Sequence, residues 1–243
     1  MARLDDCDHL ADPLAGTIHG WPRRLARAGI LAVLRPLIPL RLSGVESIPL
    51  AGPLLVVSNH LSNADPPLLS IAFPRPLFLM GKSELFRHPA FGSLLRRLGG
   101  FPVERGTADR AALRHALRLL DQGMAVCVFP EGGRSRTGAL VPAFPGVGLL
   151  ALQSRAPVLP VGITGSEYFP VNGEWPPRRP REAPRGVAIR FGEPFQVPEQ
   201  VDGTRVKADE ATRLMMTRVA ALLPENYQGV YSSDARPPRS ANR

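Results

Sequence analysis

His60 and Asp65 lie five positions apart in Asn59-His60-Leu61-Ser62-Asn63-Ala64-Asp65, between the apolar run Leu54-Leu55-Val56-Val57 and Pro66-Pro67. An imidazole beside a carboxylate is a general base with an orienting partner. The carboxylate fixes which ring nitrogen carries the proton and leaves the other free to take one. On a regular helix, five steps of about 100° leave two side chains about 140° apart, so the pair meets only if the chain between them turns. Asn59, Ser62, Asn63 and Asp65 are turn and cap residues, and Pro66 disfavours a helical conformation at Asp65. The alternative is a capping aspartate beside a surface histidine. Neither Ser58 nor Ser62 sits in a Gly-x-Ser-x-Gly elbow, and no second histidine lies at ligand spacing from His60. A base without a protein nucleophile suits a reaction in which the substrate's own hydroxyl attacks.

A second polar block, Phe129-Pro130-Glu131-Gly132-Gly133-Arg134-Ser135, closes the apolar run Met124 to Val128. Two such blocks, each ending a strand-like run, suggest one site built from the loops of a single sheet. The elements that would carry them alternate. Strands are expected at Leu54–Val57, Pro76–Gly81, Phe101–Val103, Met124–Phe129, Pro157–Ile163 and Val187–Phe191. Helices are expected from Asp65 to about Ala72, and over Ser83–Leu98, Thr107–Gln122, Val147–Ser154 and Arg205–Leu223. Residues 166–186, charged and proline-rich, read as a long loop. This order predicts an α/β fold: one domain with a mainly parallel central sheet flanked by helices.

Around that domain, residues 1–13 read as a disordered acidic tail and 232–243 as a disordered basic tail. Residues 14–42 combine apolar residues with Arg23, Arg24, Arg27, Arg35 and Arg41 and contain no acid. They predict an amphipathic helical segment able to lie in a membrane interface, ahead of a domain spanning 43–231. No stretch reaches the roughly 20 apolar residues needed to cross a bilayer. The net charge is +9, nearly all of it from arginine, and favours anionic partners. Dispersed arginines without an aromatic-interleaved basic module argue against nucleic acid. Two cysteines, Cys7 and Cys127, form neither a disulfide framework nor a metal spacing, and fit a reducing, cytosolic setting.

The block from Asn59 to Pro67 resembles the first motif of the glycerolipid acyltransferases, typified by 1-acylglycerol-3-phosphate acyltransferase. Lys82-Ser83-Glu84-Leu85-Phe86, with Pro89 and Gly92, is similar to the next segment of that family. Gly99-Gly100-Phe101-Pro102-Val103-Glu104-Arg105-Gly106 resembles its second motif, Phe129 to Ser135 its third and Pro157-Val158-Leu159-Pro160-Val161 its fourth. Leu222-Leu223-Pro224 with Tyr227, Gly229 and Tyr231 resembles the ending of some bacterial members. Gly133 departs from the pattern, which usually has threonine there.

The resemblance implies acyl transfer from acyl-CoA or acyl carrier protein to the free hydroxyl of lysophosphatidate, forming phosphatidate. His60 would be the base and Asp65 its orienter. Glu131 and Gly132 match the acceptor-binding position of the third motif. Lys82, Arg105 and Arg134 match basic positions near the acceptor phosphate, which paired arginine hydrogen bonds suit well. No metal or cofactor is implied beyond the thioester substrate. Backbone N–H groups near the His60 turn are candidate oxyanion donors. A membrane-bound acceptor and the basic segment 14–42 place the protein on the cytoplasmic face of the cell membrane, peripheral or monotopic. The alternatives are another lysolipid, glycolipid or aminolipid acceptor, and a non-catalytic lipid-binding protein.

Overall fold

All five residues of Leu54–Ser58 (β2) are buried, the signature of a strand covered on both faces. In the computed structural model, which describes residues 39–104, 109–169 and 185–232, this strand is the middle of a seven-stranded sheet. The others are β1 (Leu40–Ser43), β3 (Leu77–Lys82), β4 (Gly100–Val103), β5 (Ala125–Val128), β6 (Val158–Thr164) and β7 (Val187–Phe191). Their order is β1-β7-β6-β2-β5-β3-β4, and every pairing is parallel except β6 with β7. The predicted single α/β domain with a mainly parallel sheet is what forms.

Helices cover both faces. On one side, α3 (Arg110–Asp121), α4 (Gly146–Ser154) and α5 (Ala208–Ala220) pack on Leu55, Val57, Val126 and Val158. On the other, α1 (Asp65–Ala72) packs on Leu54, Val56, Cys127 and Val161. Alternate residues of β2 thus belong to two cores, which is why the strand is apolar throughout. Cys127 is fully buried, and burial pushes its thiol up, with Asp65 adding to the effect. It is the small core hydrophobe its sequence neighbours suggest.

Four elements differ from expectation. Leu40–Leu42, assigned above to the basic helical segment, belong to β1, in register with β7 from Leu40 against Val187. Leu40 and Leu42 face the core while Arg41 and Ser43 are exposed, a two-residue period that a short basic–apolar stretch hides. Residues 14–38 of that segment, the acidic tail 1–13 and residues 233–243 of the basic tail lie outside the described residues. Ser83–Leu98 is two pieces, a 3-10 turn Ser83–Phe86 and α2 (Pro89–Arg97). Pro89 lacks the N–H needed in a helix interior and fits a first turn. The third helix begins at Arg110, because the Asp109 carboxylate accepts the N–H groups of Ala111 and Ala112, at 3.0 and 2.9 Å. Arg205 belongs to a small hairpin, β8 (Gln200–Val201) with β9 (Thr204–Arg205), and α5 starts only at Ala208.

α4 and α5 meet at Gly148. A Cβ there would lie 1.9 Å from the Ala208 carbonyl oxygen and 2.6 Å from Thr212 Oγ1, which itself accepts the Gly148 N–H. Gly148→Ala should therefore destabilise by about 1–3 kcal/mol, against the gain of about 1 kcal/mol that helix propensity alone assigns. Urea unfolding measures the sign; a stabilised variant would refute the close contact.

Candidate active site

The chain leaves β2 at Ser58 and must reach α1 within a few residues at the carboxyl edge of the sheet. Asn59 continues the pairing with β6 through its side chain. Its Nδ2 donates to the Ile163 carbonyl at 2.8 Å, and its Oδ1 accepts the Ile163 N–H at 2.7 Å. The backbone is thereby released from the ladder and can turn.

Within the turn, Asp65 Oδ2 collects three donors: His60 Nδ1 at 2.9 Å, Leu61 N–H at 2.6 Å and Ser62 N–H at 2.7 Å. Asp65 is the first residue of α1, with Ala64 in the cap position, and not the cap itself. The two prolines explain why. The donors a cap would receive belong to positions 66 and 67, which have no N–H, while Leu68 N–H already reaches Ala64. The carboxylate is free to face backwards, even though the residue before a proline ordinarily avoids helix. Since Oδ2 accepts two backbone N–H groups, it faces His60 as an acceptor, and Nδ1 carries the imidazole proton. Nε2 is then the basic nitrogen. His60 is 3% exposed, so the surface-histidine alternative falls. Its ring stacks on Phe129, centroids 4.4 Å apart.

The loop after β5 holds the His60 peptide from both sides. His60 N–H donates to Glu131 Oε1 at 2.9 Å, and the His60 carbonyl accepts the Ser135 N–H at 2.8 Å. Glu131 Oε2 accepts the Val141 N–H at 3.1 Å. Burial raises the Glu131 carboxyl to about 7 against the pull of these two N–H groups, and Asp65 adds to the rise. Each Glu131 oxygen thus accepts one backbone N–H, and through them the side chain braces His60 against the loop. Gly132 turns with a positive φ of 68°, and a Cβ there would press on the Phe144 ring at 2.6 Å. Gly133 has open space around it, so the departure from threonine leaves a gap and no strain.

Of the remaining sequence candidates, Lys82 and Arg134 lie along the same edge. Lys82 ends β3 and pairs with Glu84 at 3.2 Å, both side chains about half exposed. Arg134 is half-buried in the loop after β5, the strand between β2 and β3. Arg105 lies outside the described residues, just beyond Glu104 at the end of β4. The N–H groups of His60, Leu61, Ser62, Ala64 and Asp65 have acceptors within the protein. Ser58 Oγ donates to the Asn59 carbonyl. Sequence reasoning missed Asn59 as a strand surrogate, Phe129 as the ring's platform, and Ser135. The only available signal was position, each lying beside a motif residue at a strand end. Among the described residues, no three His, Cys, Asp or Glu side chains gather to hold a metal ion, and no helix is long and apolar enough to cross a membrane.

The family model described as Acyltransferase matches residues 39–164, more than half of the 243 residues. The chain belongs to the acyltransferase family. The match begins at the threshold of β1 and ends with β6, so it contains His60, Asp65, Glu131 and Arg134, and leaves out β7, α5 and the final turns. The acyltransferase chain is 26% identical over 181 residues to a 1-acyl-sn-glycerol-3-phosphate acyltransferase of Cocos nucifera, covering 73% of this chain and 56% of that one. It is 29% identical over 121 residues to the Bacillus subtilis protein of the same name, covering 49% and 60%. It therefore spans less than two thirds of either relative. The crystal structure of the 1-acyl-sn-glycerophosphate acyltransferase of Thermotoga maritima superposes with a TM-score of 0.59 at 25% identity, covering 82% of each chain.

The Glu131 brace carries a pH signature. Its folded-state value of about 7 lies above the ordinary 4.5, so the folded acyltransferase holds this proton more tightly than the unfolded chain. That contribution is complete below the ordinary value and is lost as pH rises through 7. Stability relative to Glu131→Gln should fall by roughly 1.4 kcal/mol per pH unit across the window. Urea titrations spanning it provide the measurement, and a difference that rises with pH would contradict the assignment.

Proposed function

We propose that this acyltransferase moves a fatty acyl group from a thioester donor, acyl-CoA or acyl carrier protein, to the free hydroxyl of lysophosphatidate, forming phosphatidate in phospholipid biosynthesis. The observation that carries the chemistry is the His60 imidazole, its Nδ1–H committed to Asp65. In this reading Nε2 takes the proton of the acceptor hydroxyl as its oxygen attacks the thioester carbonyl carbon. The tetrahedral intermediate collapses with cleavage of the C–S bond, and the imidazolium returns its proton to the departing thiolate. Asp65 holds the ring and offsets its positive charge during the step. The names of the relatives support lysophosphatidate as the acceptor.

Lys82, Arg105 and Arg134 are assigned to the acceptor phosphate, with Gly132 lining the approach. In support of this reading, Lys82 ends β3 and Arg134 follows β5, both strands on one side of β2. The reaction as drawn needs no cofactor beyond the donor. The basic segment ahead of β1 is assigned to the membrane surface, where an anionic cytoplasmic leaflet attracts arginine and the acceptor resides.

Purified protein assayed with radiolabelled acyl-CoA or acyl carrier protein against a panel of lysolipids should prefer lysophosphatidate. His60→Ala should lower turnover by between about a hundredfold and ten-thousandfold while leaving the folded spectrum intact. Near-normal turnover in that variant removes the mechanism, and preference for another lysolipid reassigns the acceptor. Separately, deletion of residues 1–38, ending short of β1, should reduce sedimentation with vesicles containing anionic lipid. Unchanged sedimentation would dissociate the segment from the membrane.

A further inference from the structure

Beyond the region shared with the family model, the chain ends its described course in a short strap: α6 (Glu225–Gln228) and a 3-10 turn, Gly229–Tyr231. The strap meets the loop after β5 repeatedly. Leu140 N–H donates to the Tyr227 carbonyl at 2.8 Å, and Val230 N–H donates to the Leu140 carbonyl at 3.3 Å. Ala143 N–H donates to Tyr231 Oη at 3.0 Å. Gly229 sits so close that a Cβ would lie 2.0 Å from the Leu140 oxygen. At its other side the strap is anchored to the sheet edge, where Tyr227 Oη donates to the buried carboxylate of Glu167 at 2.5 Å.

These contacts grip residues 140 and 143. Between them lies Val141, whose N–H donates to Glu131 Oε2, and Glu131 Oε1 accepts the His60 N–H. Two hydrogen bonds therefore separate the gripped loop from the peptide of the histidine. A loop released at 143 would let Val141 drift, and the Glu131 carboxylate would lose one of its two fixed points.

We propose that the strap is a positioning element for His60, with Tyr231 the positioning residue that holds the Val141–Glu131 brace in place. This rests on His60 being the base. A strap that only seals the core would need the Tyr231 ring, which packs on the helical core, and not its hydroxyl.

Tyr231→Phe removes one oxygen and keeps that ring. The expected result is a fall in kcat of about tenfold or more, with KM for donor and acceptor within about twofold and a nearly unchanged Tm. The downfield proton resonance of the His60 Nδ1–H, identified by its absence in Asp65→Asn, should shift or broaden. In a Glu131→Gln background the same substitution should add little, because both act on one chain of contacts. Overturning results are a lowered Tm with kcat and the His60 resonance as in the unaltered protein, or full additivity with Glu131→Gln. The resonance needs no substrate. If it moves while no lysolipid is acylated, the strap stands and the acceptor reading fails.

Discussion

The site depends on one buried carboxylate oxygen receiving three N–H groups from the five residues before it. Asp65 Oδ2 closes the turn, selects the imidazole tautomer and supplies the negative charge that an imidazolium needs, all through one atom. Such an arrangement needs a carboxylate with no competing duty. At the start of a helix that condition is unusual, since the first-turn N–H groups normally claim an acidic side chain. Pro66 and Pro67 remove those claimants. The prolines therefore act on chemistry through what they lack. An alanine at either position would restore a donor able to draw the carboxylate forward, away from His60.

Using the turn's own amides in this way has a consequence for the rest of the loop cluster. A peptide leaving a buried strand must find partners for its N–H and C=O, because water does not reach them. Here three different side-chain or backbone groups serve. Asn59 substitutes for a further residue of β2 in pairing Ile163. Glu131 takes the His60 N–H, and the Ser135 N–H takes the His60 carbonyl. Five amides of the turn are thereby satisfied internally. Glu131 shows the tension most clearly. Its two accepted hydrogen bonds favour the carboxylate, while burial and the neighbouring Asp65 favour the protonated acid, and burial is the larger effect.

Much of this was legible from residue types. The alternation of apolar runs with amphipathic segments carried the sheet and its helices, because strands covered on both faces leave a continuous apolar mark. The His60–Asp65 turn followed from angular spacing together with the turn and cap residues around the pair. What escaped had no local signature. β1 is short and carries arginine outward, so its two-residue period is indistinguishable from a basic helix until β7 lies beside it. The two amides that Glu131 accepts, from residues 71 positions before and 10 after it, left no local mark either. A side chain's partners depend on which strands become neighbours, and spacing does not contain that. The Ser83–Leu98 helix failed for the opposite reason, since Pro89 was readable as a break and the apolar periodicity on each side outweighed it.

Strand order also explains how one edge can serve two purposes. β2 stands between β5, β3 and β4 on one side and β6, β7 and β1 on the other. The first group ends in Lys82, Arg134 and the chain leading to Arg105, while Glu167 follows β6 and holds the Tyr227 hydroxyl. Cations placed against the pair itself would compete with His60 for Asp65 and weaken the base. Carried on the loops of other strands, they can attract a phosphate while the Asp65 oxygen stays with its three donors. On the opposite flank Tyr227 meets Glu167, and from there the terminal strap crosses to the loop bracing His60. The support that the strap gives the His60 loop is thus a property of topology, set when β2 pairs with β5 on one side and β6 on the other.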